Sequence, residues 1–261
     1  MIGRQGNQVN YDKIAAGYDQ QPMRQKQADA YLLAFLAERF ADATEIPSIL
    51  DLGCGTGSQL VANQPHLSMA RLVGLDFSAG MLQQAQQKAA PINWIQADSI
   101  QPPFADQSFD YISNQFSFHH VADKAAMFRA IYRLLRPGGR LVVLNIVPSE
   151  MPDWLYYRYF PAAYEADQHD YPALYQLVDW LIEVGFRRVV VDLDHFVTET
   201  ELSKFTKVAR QRQNSSQLLI IPDAAYQAGL DRLEAEVQSA NGQPTSIRDE
   251  VCLMTLVADK G

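Results

Sequence analysis

Ser48-Ile49-Leu50-Asp51-Leu52-Gly53-Cys54-Gly55-Thr56-Gly57 decides how the rest of this chain is read. Ile49, Leu50 and Leu52 make a short apolar run suited to a strand buried on both faces, and the run stops at glycines on alternate positions. A strand that enters Gly-x-Gly-x-Gly makes a tight turn whose backbone a ligand can approach closely, because no Cβ stands in the way. The dinucleotide fingerprint is G-x-G-x-x-G; here the third glycine, Gly57, comes one residue early and Ser58 stands where the fingerprint requires glycine. A second apolar run, Arg71 to Leu75, ends at Asp76. A carboxylate about 20 residues past such a loop, at the tip of the neighbouring strand, is placed to accept hydrogen bonds from ribose hydroxyls. The pattern reads as a nucleoside site without a pyrophosphate.

The composition narrows the class. With 261 residues and 48% apolar side chains, the chain can bury the core of one large α/β domain with a sizeable cap. Its 22 basic and 30 acidic residues give a net charge of −8, the wrong balance for broad affinity to nucleic acid. No run approaches the roughly 18 apolar residues of a membrane span, and the polar stretch Met1 to Asn10 lacks the apolar centre of a signal peptide, so a cytoplasmic location is expected. Cys54 and Cys252 fit no metal spacing; no metal is expected, and Cys54 reads as a small residue filling its turn.

Four stretches carry a resemblance. Ile49 to Gly57, Val73-Gly74-Leu75-Asp76-Phe77-Ser78, Ala97-Asp98 and Leu134-Leu135-Arg136-Pro137-Gly138-Gly139 resemble, in order, the motifs of class I S-adenosyl-L-methionine (SAM) dependent methyltransferases. Within that family the chain is most similar to the small-molecule branch that includes quinone-biosynthesis enzymes, and the match runs from about Tyr11 to Val147. The resemblance implies an α/β, Rossmann-like, doubly wound sheet of seven strands, mostly parallel with an antiparallel last strand, carrying an inserted helical and aromatic cap. It also implies SAM as cofactor and a small-molecule methyl acceptor. A homodimer stays open. The cofactor set it implies is Tyr18, Asp51, Gly53, Gly55, Gly57, Asp76, Phe77, Met81, Asp98, Ser99, Asn114 and Gln115. Phe77 and Met81 would pack on adenine, and Asp98 would accept from the adenine amino group. From the residues alone Met81 reads as core and Asp98 as a turn cap.

Along the chain, Tyr11 and Tyr18 are seven residues apart and would share a helix face, on a segment that in the family folds over the cofactor. Leu32, Phe35, Leu36 and Phe40 recur at helical spacing and read as core. A helix from Ser58 to Asn63 would present free N–H groups to a carboxylate. Ser78 and Asp123 read as N-caps, the first of a helix with Met81, Leu82, Ala85 and Ala89 inward. Strands are expected over Ile92 to Gln96, Phe109 to Ser113 and Leu141 to Ile146. His119 and His120 fall where the family lines the transferable methyl; on extended backbone they would point opposite ways, and one of them is the candidate base.

Beyond Val147, Trp154 to Tyr164 crowds aromatic residues among prolines, and an aromatic lid is expected there. Trp180, with Leu177, Val178, Leu181 and Ile182, reads as core on a helix ended by Gly185. A sixth strand is expected at Arg187 to Val191, a capping box at Thr198 and Glu201, and a final strand at Val251 to Val257. Lys204, Lys207, Arg210 and Arg212 read as a solvated face. One domain is expected over residues 1–261, with a cofactor core at about 11–147 and cap insertions at about 148–170 and 195–245. An NAD-dependent oxidoreductase and a non-catalytic SAM-binding module are the alternative readings.

Overall fold

The computed structural model describes residues 9–20, 24–41, 44–67, 69–88, 91–241 and 243–261; Ala89 lies outside the described residues. In chain order the elements are α1 (Tyr11–Ile14), α2 (Ala30–Arg39), β1 (Ser48–Leu52), α3 (Ser58–Asn63), β2 (Arg71–Asp76), α4 (Ala79–Gln86), β3 (Asn93–Gln96), β4 (Phe109–Gln115), α5 (Lys124–Leu134) and β5 (Leu135–Ile146). They continue as α6 (Leu155–Tyr159), α7 (Pro161–Asp170), α8 (Leu174–Val184), β6 (Phe186–Glu201), α9 (Leu202–Ala209), α10 (Ser216–Ile220), α11 (Asp223–Ser239) and β7 (Ser246–Lys260). The seven strands run in the order β3-β2-β1-β4-β5-β7-β6, parallel through the first five and antiparallel at the end. Because β1 is central, a ligand at its C-terminal end sits where the strand order reverses, the usual ligand position in open parallel sheets.

The chain forms two compact units. One comprises Tyr11–Asn145, Leu174–Asp192 and Met254–Gly261; the other includes Ile146–Ala173 and Leu193–Leu253.

In the first unit every residue of β1 is buried, as its short apolar run implies, Ser48 and Asp51 included. Leu32, Phe35, Ile49, Leu60, Leu72 and Tyr111 belong to one core cluster, with Leu36 and Phe40 half-buried against it. Asp29 opens α2: its Oδ1 accepts from the N–H groups of Tyr31 (2.9 Å) and Leu32 (3.1 Å), and its Oδ2 accepts from the Tyr111 hydroxyl at 2.9 Å. Asp29→Ala should lower stability by about 2 to 4 kcal/mol, a lost cap plus a buried phenol left without its acceptor, read as a fall in the urea midpoint. An unchanged midpoint would show that neither bond matters to folding.

Ser78 and Asp123 do cap α4 and α5, their side chains accepting from the N–H groups of Met81 and Ala126. No helix joins β3 to β4. Strand β5 begins earlier than expected: Leu135 pairs with Phe109 and Arg140 with Tyr111, so Arg136 to Gly139 bulge out of the ladder. On α8, Leu177 and Leu181 are buried, but Trp180 is only half-buried and Ile182 is exposed, so the inward stripe is narrower than expected.

The second unit is built on aromatics. Tyr156, Tyr157, Tyr159 and Phe160 are buried. Tyr156 lies edge-on to Phe205, and Phe160 stacks on Tyr226. A Cβ at Gly229 would stand 2.2 Å from the Phe160 ring, so α11 must be bare there. These four rings are occupied in packing rather than held out as a lid. The Tyr157 hydroxyl donates to Asp167 at 2.7 Å, and burial raises the Asp167 pKa to about 6. The capping box does not form: Thr198 lies inside β6, which runs on to Glu201, and Glu201 precedes α9 without a side-chain cap bond. Strand pairing has overridden the local signal. On the basic face, Lys204, Arg210 and Arg212 each form an ion pair, with Glu201, Glu234 and Asp223.

Candidate cofactor site

Three glycines of the β1 loop have positive φ, +77° at Gly53, +54° at Gly55 and +73° at Gly57, and each is glycine for its own reason. A Cβ at Gly53 would stand 2.2 Å from Ser117 Oγ, and one at Gly57 would stand 2.3 Å from the Trp94 ring. At Gly55 a Cβ would meet no atom of the described residues within 4 Å. Gly53 and Gly57 are thus demanded by packing, while Gly55 leaves a cradle that a side chain would fill. The Cys54 thiol is buried, which pushes its pKa well up and makes it unreactive as a nucleophile.

Asp76, at the end of β2, is tied to this loop. Its Oδ2 accepts from the Gly55 N–H at 2.7 Å and its Oδ1 from the Ser78 N–H at 2.9 Å. Burial nevertheless raises its pKa above the ordinary value, the N–H bonds opposing. With the Phe77 N–H also bonding the carboxylate, three of its roughly four acceptor sites are taken and one is left for a ligand hydroxyl. Phe77, next in sequence, is 77% exposed, whereas Met81 is in the core on the inward face of α4. Asp98 sits in the turn after β3, where its Oδ1 accepts from the Ile100 N–H at 3.0 Å; Ser99 shares that turn.

Asp51 and Asn114 lie near the C-terminal ends of β1 and β4, where the register sets Asp51 against Ser113. Asp51 is buried, accepts from Ser113 Oγ at 2.9 Å, and has its pKa raised by that burial to about 6. Asn114 donates through Nδ2 to Leu52 O (2.7 Å) and Ser117 Oγ (2.6 Å). Its buried Oδ1 has no hydrogen-bond partner among the described residues. An acceptor buried without a donor costs roughly 1 to 3 kcal/mol, so its presence beside the bare loop suits a ligand that brings an N–H. The adenosyl amino acid expected from the sequence has an ammonium for Asn114 and a ribose hydroxyl for Asp76.

Residues 11–20 meet the loop end through contacts that local sequence does not signal, with partners tens of residues away. Asp12 Oδ1 accepts from Ser78 Oγ at 2.6 Å and from the Gly80 N–H at 2.7 Å. Asp19 accepts from Thr56 Oγ1 (2.7 Å) and Ser58 Oγ (3.2 Å) and is salt-bridged to Lys88. A protein carboxylate therefore already stands by the first turn of α3, where the sequence suggested a ligand carboxylate. The Tyr18 ring lies edge-on to Tyr11 at 6.2 Å, and the Arg24 guanidinium covers it at 3.4 Å. Lys26, another residue without a sequence signal, donates to Gln115 Oε1 at 2.9 Å.

His119 and His120 do not diverge as extended backbone would make them. They lie in a 3-10 turn, Phe118–His120, and their rings are 3.8 Å apart between centroids. His119 Nδ1 is 3.1 Å from Asn145 Nδ2, and His120 Nε2 is 2.6 Å from the Tyr11 hydroxyl. Burial first, then the Lys124 charge, lowers the His120 pKa to about 4; burial drives His119 well below its usual value. Both rings are neutral at pH 7.

Comparison with known proteins bears on the same residues. Residues 50–143, from the end of β1 into β5, match the methyltransferase domain family. The chain is 39% identical over 111 residues to the demethylmenaquinone methyltransferase of Lactiplantibacillus plantarum, covering 40% of this chain and 47% of that protein. The chain thus spans about half the length of that relative. Its fold is shared with a putative methyltransferase from an antibiotic biosynthesis pathway of Anabaena variabilis (TM-score 0.65, 19% identity, 89% of this chain and 99% of that one). It is shared too with Haemonchus contortus phosphoethanolamine N-methyltransferase 2 (TM-score 0.59, 19% identity, 95% of this chain and 57% of that one). Residues 50–143 of this chain, with most of the ordered motifs and the strands that carry them, are thus similar to the methyltransferase domain family.

Proposed function

We propose that the chain binds SAM at the β1 loop and transfers its methyl group to a small, partly apolar acceptor, with ring compounds of the quinol type the first class to try. The observation that carries the cofactor reading is the bare Gly55 turn braced by Asp76, with the unsatisfied Asn114 Oδ1 alongside. The acceptor class is supported by the relative that carries demethylmenaquinone methyltransferase as its name. SAM brings a sulfonium-activated methyl, so the protein's work is to align donor and acceptor and to keep water out, worth roughly 7 to 11 kcal/mol in the best intramolecular cases. Asp76 would hold the ribose, Asn114 and Asp51 the ammonium, and the exposed Phe77 ring the adenine.

A proton leaves an acceptor oxygen or carbon on methylation, and of the two candidate histidines His120 is the one suited to take it, since the Asn145 amide already donates to His119 Nδ1. Each is a neutral imidazole, and Tyr11 orients His120. With a pKa of about 4, His120 is a weak base, which suits an acceptor that ionises readily. For such an acceptor His120→Gln should lower kcat on the order of 100-fold while leaving the affinity for S-adenosylhomocysteine (SAH) unchanged. Between pH 6 and 8 kcat should not fall through His120, since its ring charges only as the pH drops towards about 4. Incubation with radiolabelled SAM and a panel of quinols, phenols and amines tests the whole reading. SAH binding without transfer to any of them would leave a binding module; no SAH binding would end the proposal.

A further inference from the structure

Phe116, the residue after β4, has a φ of +53°, in the left-handed region. A bulky side chain rarely adopts it, because its Cβ crowds the following carbonyl oxygen. Gln107 and Asn241, the other described non-glycine residues with positive φ, are polar and lie in turns. The neighbours of Phe116 hold its backbone to this course. Gln115 ends β4 against Leu144, and the Phe116 N–H donates to Leu144 O at 2.9 Å. On the other side the Ser117 hydroxyl donates to Leu52 O (3.2 Å), accepts from Asn114 Nδ2 (2.6 Å) and fills the space where Gly53 lacks a Cβ. Strain of this kind persists where the surroundings over-determine it, and glycine would bear it at less cost. What glycine cannot supply is a ring. The Phe116 side chain is 37% exposed, with the Lys26 ammonium 4.9 Å from the ring centre.

Its place in the fold bears on which ligand it meets. Strands β2 and β4 flank β1 on opposite sides. On the cofactor reading above, the ribose meets Asp76 at the end of β2 and the ammonium meets Asn114 in β4, so the sulfonium lies between them across the β1 loop. Phe116 stands on the β4 side, next to the Ser117 that meets Gly53, and the histidine turn Phe118–His120 follows at once. An acceptor has to lie between the activated methyl and the group that takes its proton. Phe116 is on the segment that joins the two.

We infer that Phe116 is a specificity residue for the methyl acceptor: its ring is the face on which a planar acceptor lies, and the left-handed backbone turns that face to it. The inference rests on the proposed function and narrows the acceptor to an aromatic or quinoid ring, which gains most from an offset or edge-on aromatic neighbour. The alternative is a structural role, with the ring serving only to cover the Lys26 ammonium.

Full-length variants at this one position separate the two. Phe116→Ala and Phe116→Gly both remove the ring, but only glycine also relieves the backbone, so of the pair the glycine protein should have the higher urea midpoint. At saturating SAM both should raise the KM for naphthohydroquinone about tenfold, and Phe116→Leu, which keeps bulk without an aromatic face, should come close to them. Phe116→Tyr should stay within about twofold of wild type. SAH affinity by calorimetry should be the same throughout, which also shows that the variants are folded. If KM instead follows the urea midpoint, so that glycine recovers what alanine loses, or if leucine serves as well as phenylalanine, the ring is structural and the inference is overturned. SAH affinity that falls in step with KM overturns it too, by putting Phe116 against the cofactor. A wild-type chain that binds SAH and methylates no quinol or phenol sinks the inference and leaves the cofactor reading standing. A wild-type chain that binds no SAH sinks both.

Discussion

Gly55→Val should abolish SAH binding, weakening it at least about 100-fold, while the urea unfolding midpoint falls only slightly. Two effects combine at this position. The backbone is left-handed, φ +54°, where an L residue costs about 1 to 2 kcal/mol and a β-branched one more. The added side chain would also fill the space through which the proposed ligand would reach the loop, since no atom of the described residues lies within 4 Å of the Cβ position. The neighbours make the control. Gly53→Ala drives a methyl to 2.2 Å from Ser117 Oγ, and Gly57→Ala drives one to 2.3 Å from Trp94, so both should lose stability as well as binding. A Gly55→Val protein that binds SAH normally would remove the loop from the site.

Asp76→Ala should weaken SAH binding by more than tenfold, on the order of 1.5 to 3 kcal/mol for hydrogen bonds to a charged acceptor. On the proposed cofactor reading the loss has two parts. Asp76 can take a ribose hydroxyl, and it also braces the loop by accepting from the N–H groups of Gly55 and Ser78. Asp76→Asn keeps one carbonyl oxygen and the side chain's shape, so it should retain part of the brace and bind between wild type and alanine. The pH dependence follows from the ionised form being the acceptor. Burial raises the Asp76 pKa, so affinity should be complete at neutral pH and fall as acid protonates the carboxyl, earlier than an ordinary aspartate would allow. Equal SAH affinity in wild type and Asp76→Ala would take Asp76 out of the ribose site.

What could be read along the chain is what short-range physics controls. The apolar run of β1, the glycine turn that follows it and the carboxylate that ends β2 are local features, and all three form as expected. Ser78 and Asp123 were legible as caps because a cap bonds an N–H three residues on. Thr198 and Glu201 carried the same local signal and lost it to the 16-residue strand β6, since a ladder bonds every second backbone group and a cap only one. The aromatic run Trp154 to Tyr164 showed that rings are gathered there, but packing against Phe205 and Tyr226 decided that four of them are buried.

The site divides the same way. By itself the sequence determined the class: a nucleoside loop of bare backbone and an acid one strand away, both set by spacing within one or two elements. Tertiary structure alone decided which distant side chains meet one another. Asp19 reaches Thr56 across 37 residues, Lys26 reaches Gln115 across 89, and Tyr11 reaches His120 across 109. No periodicity in the chain records such distances, because a polar side chain's partner is chosen by which strand ends the fold brings together. The turn that sets His119 against His120 belongs with them: Asn145 and Tyr11 hold the rings, while burial, then the Lys124 charge for His120, sets their low basicity.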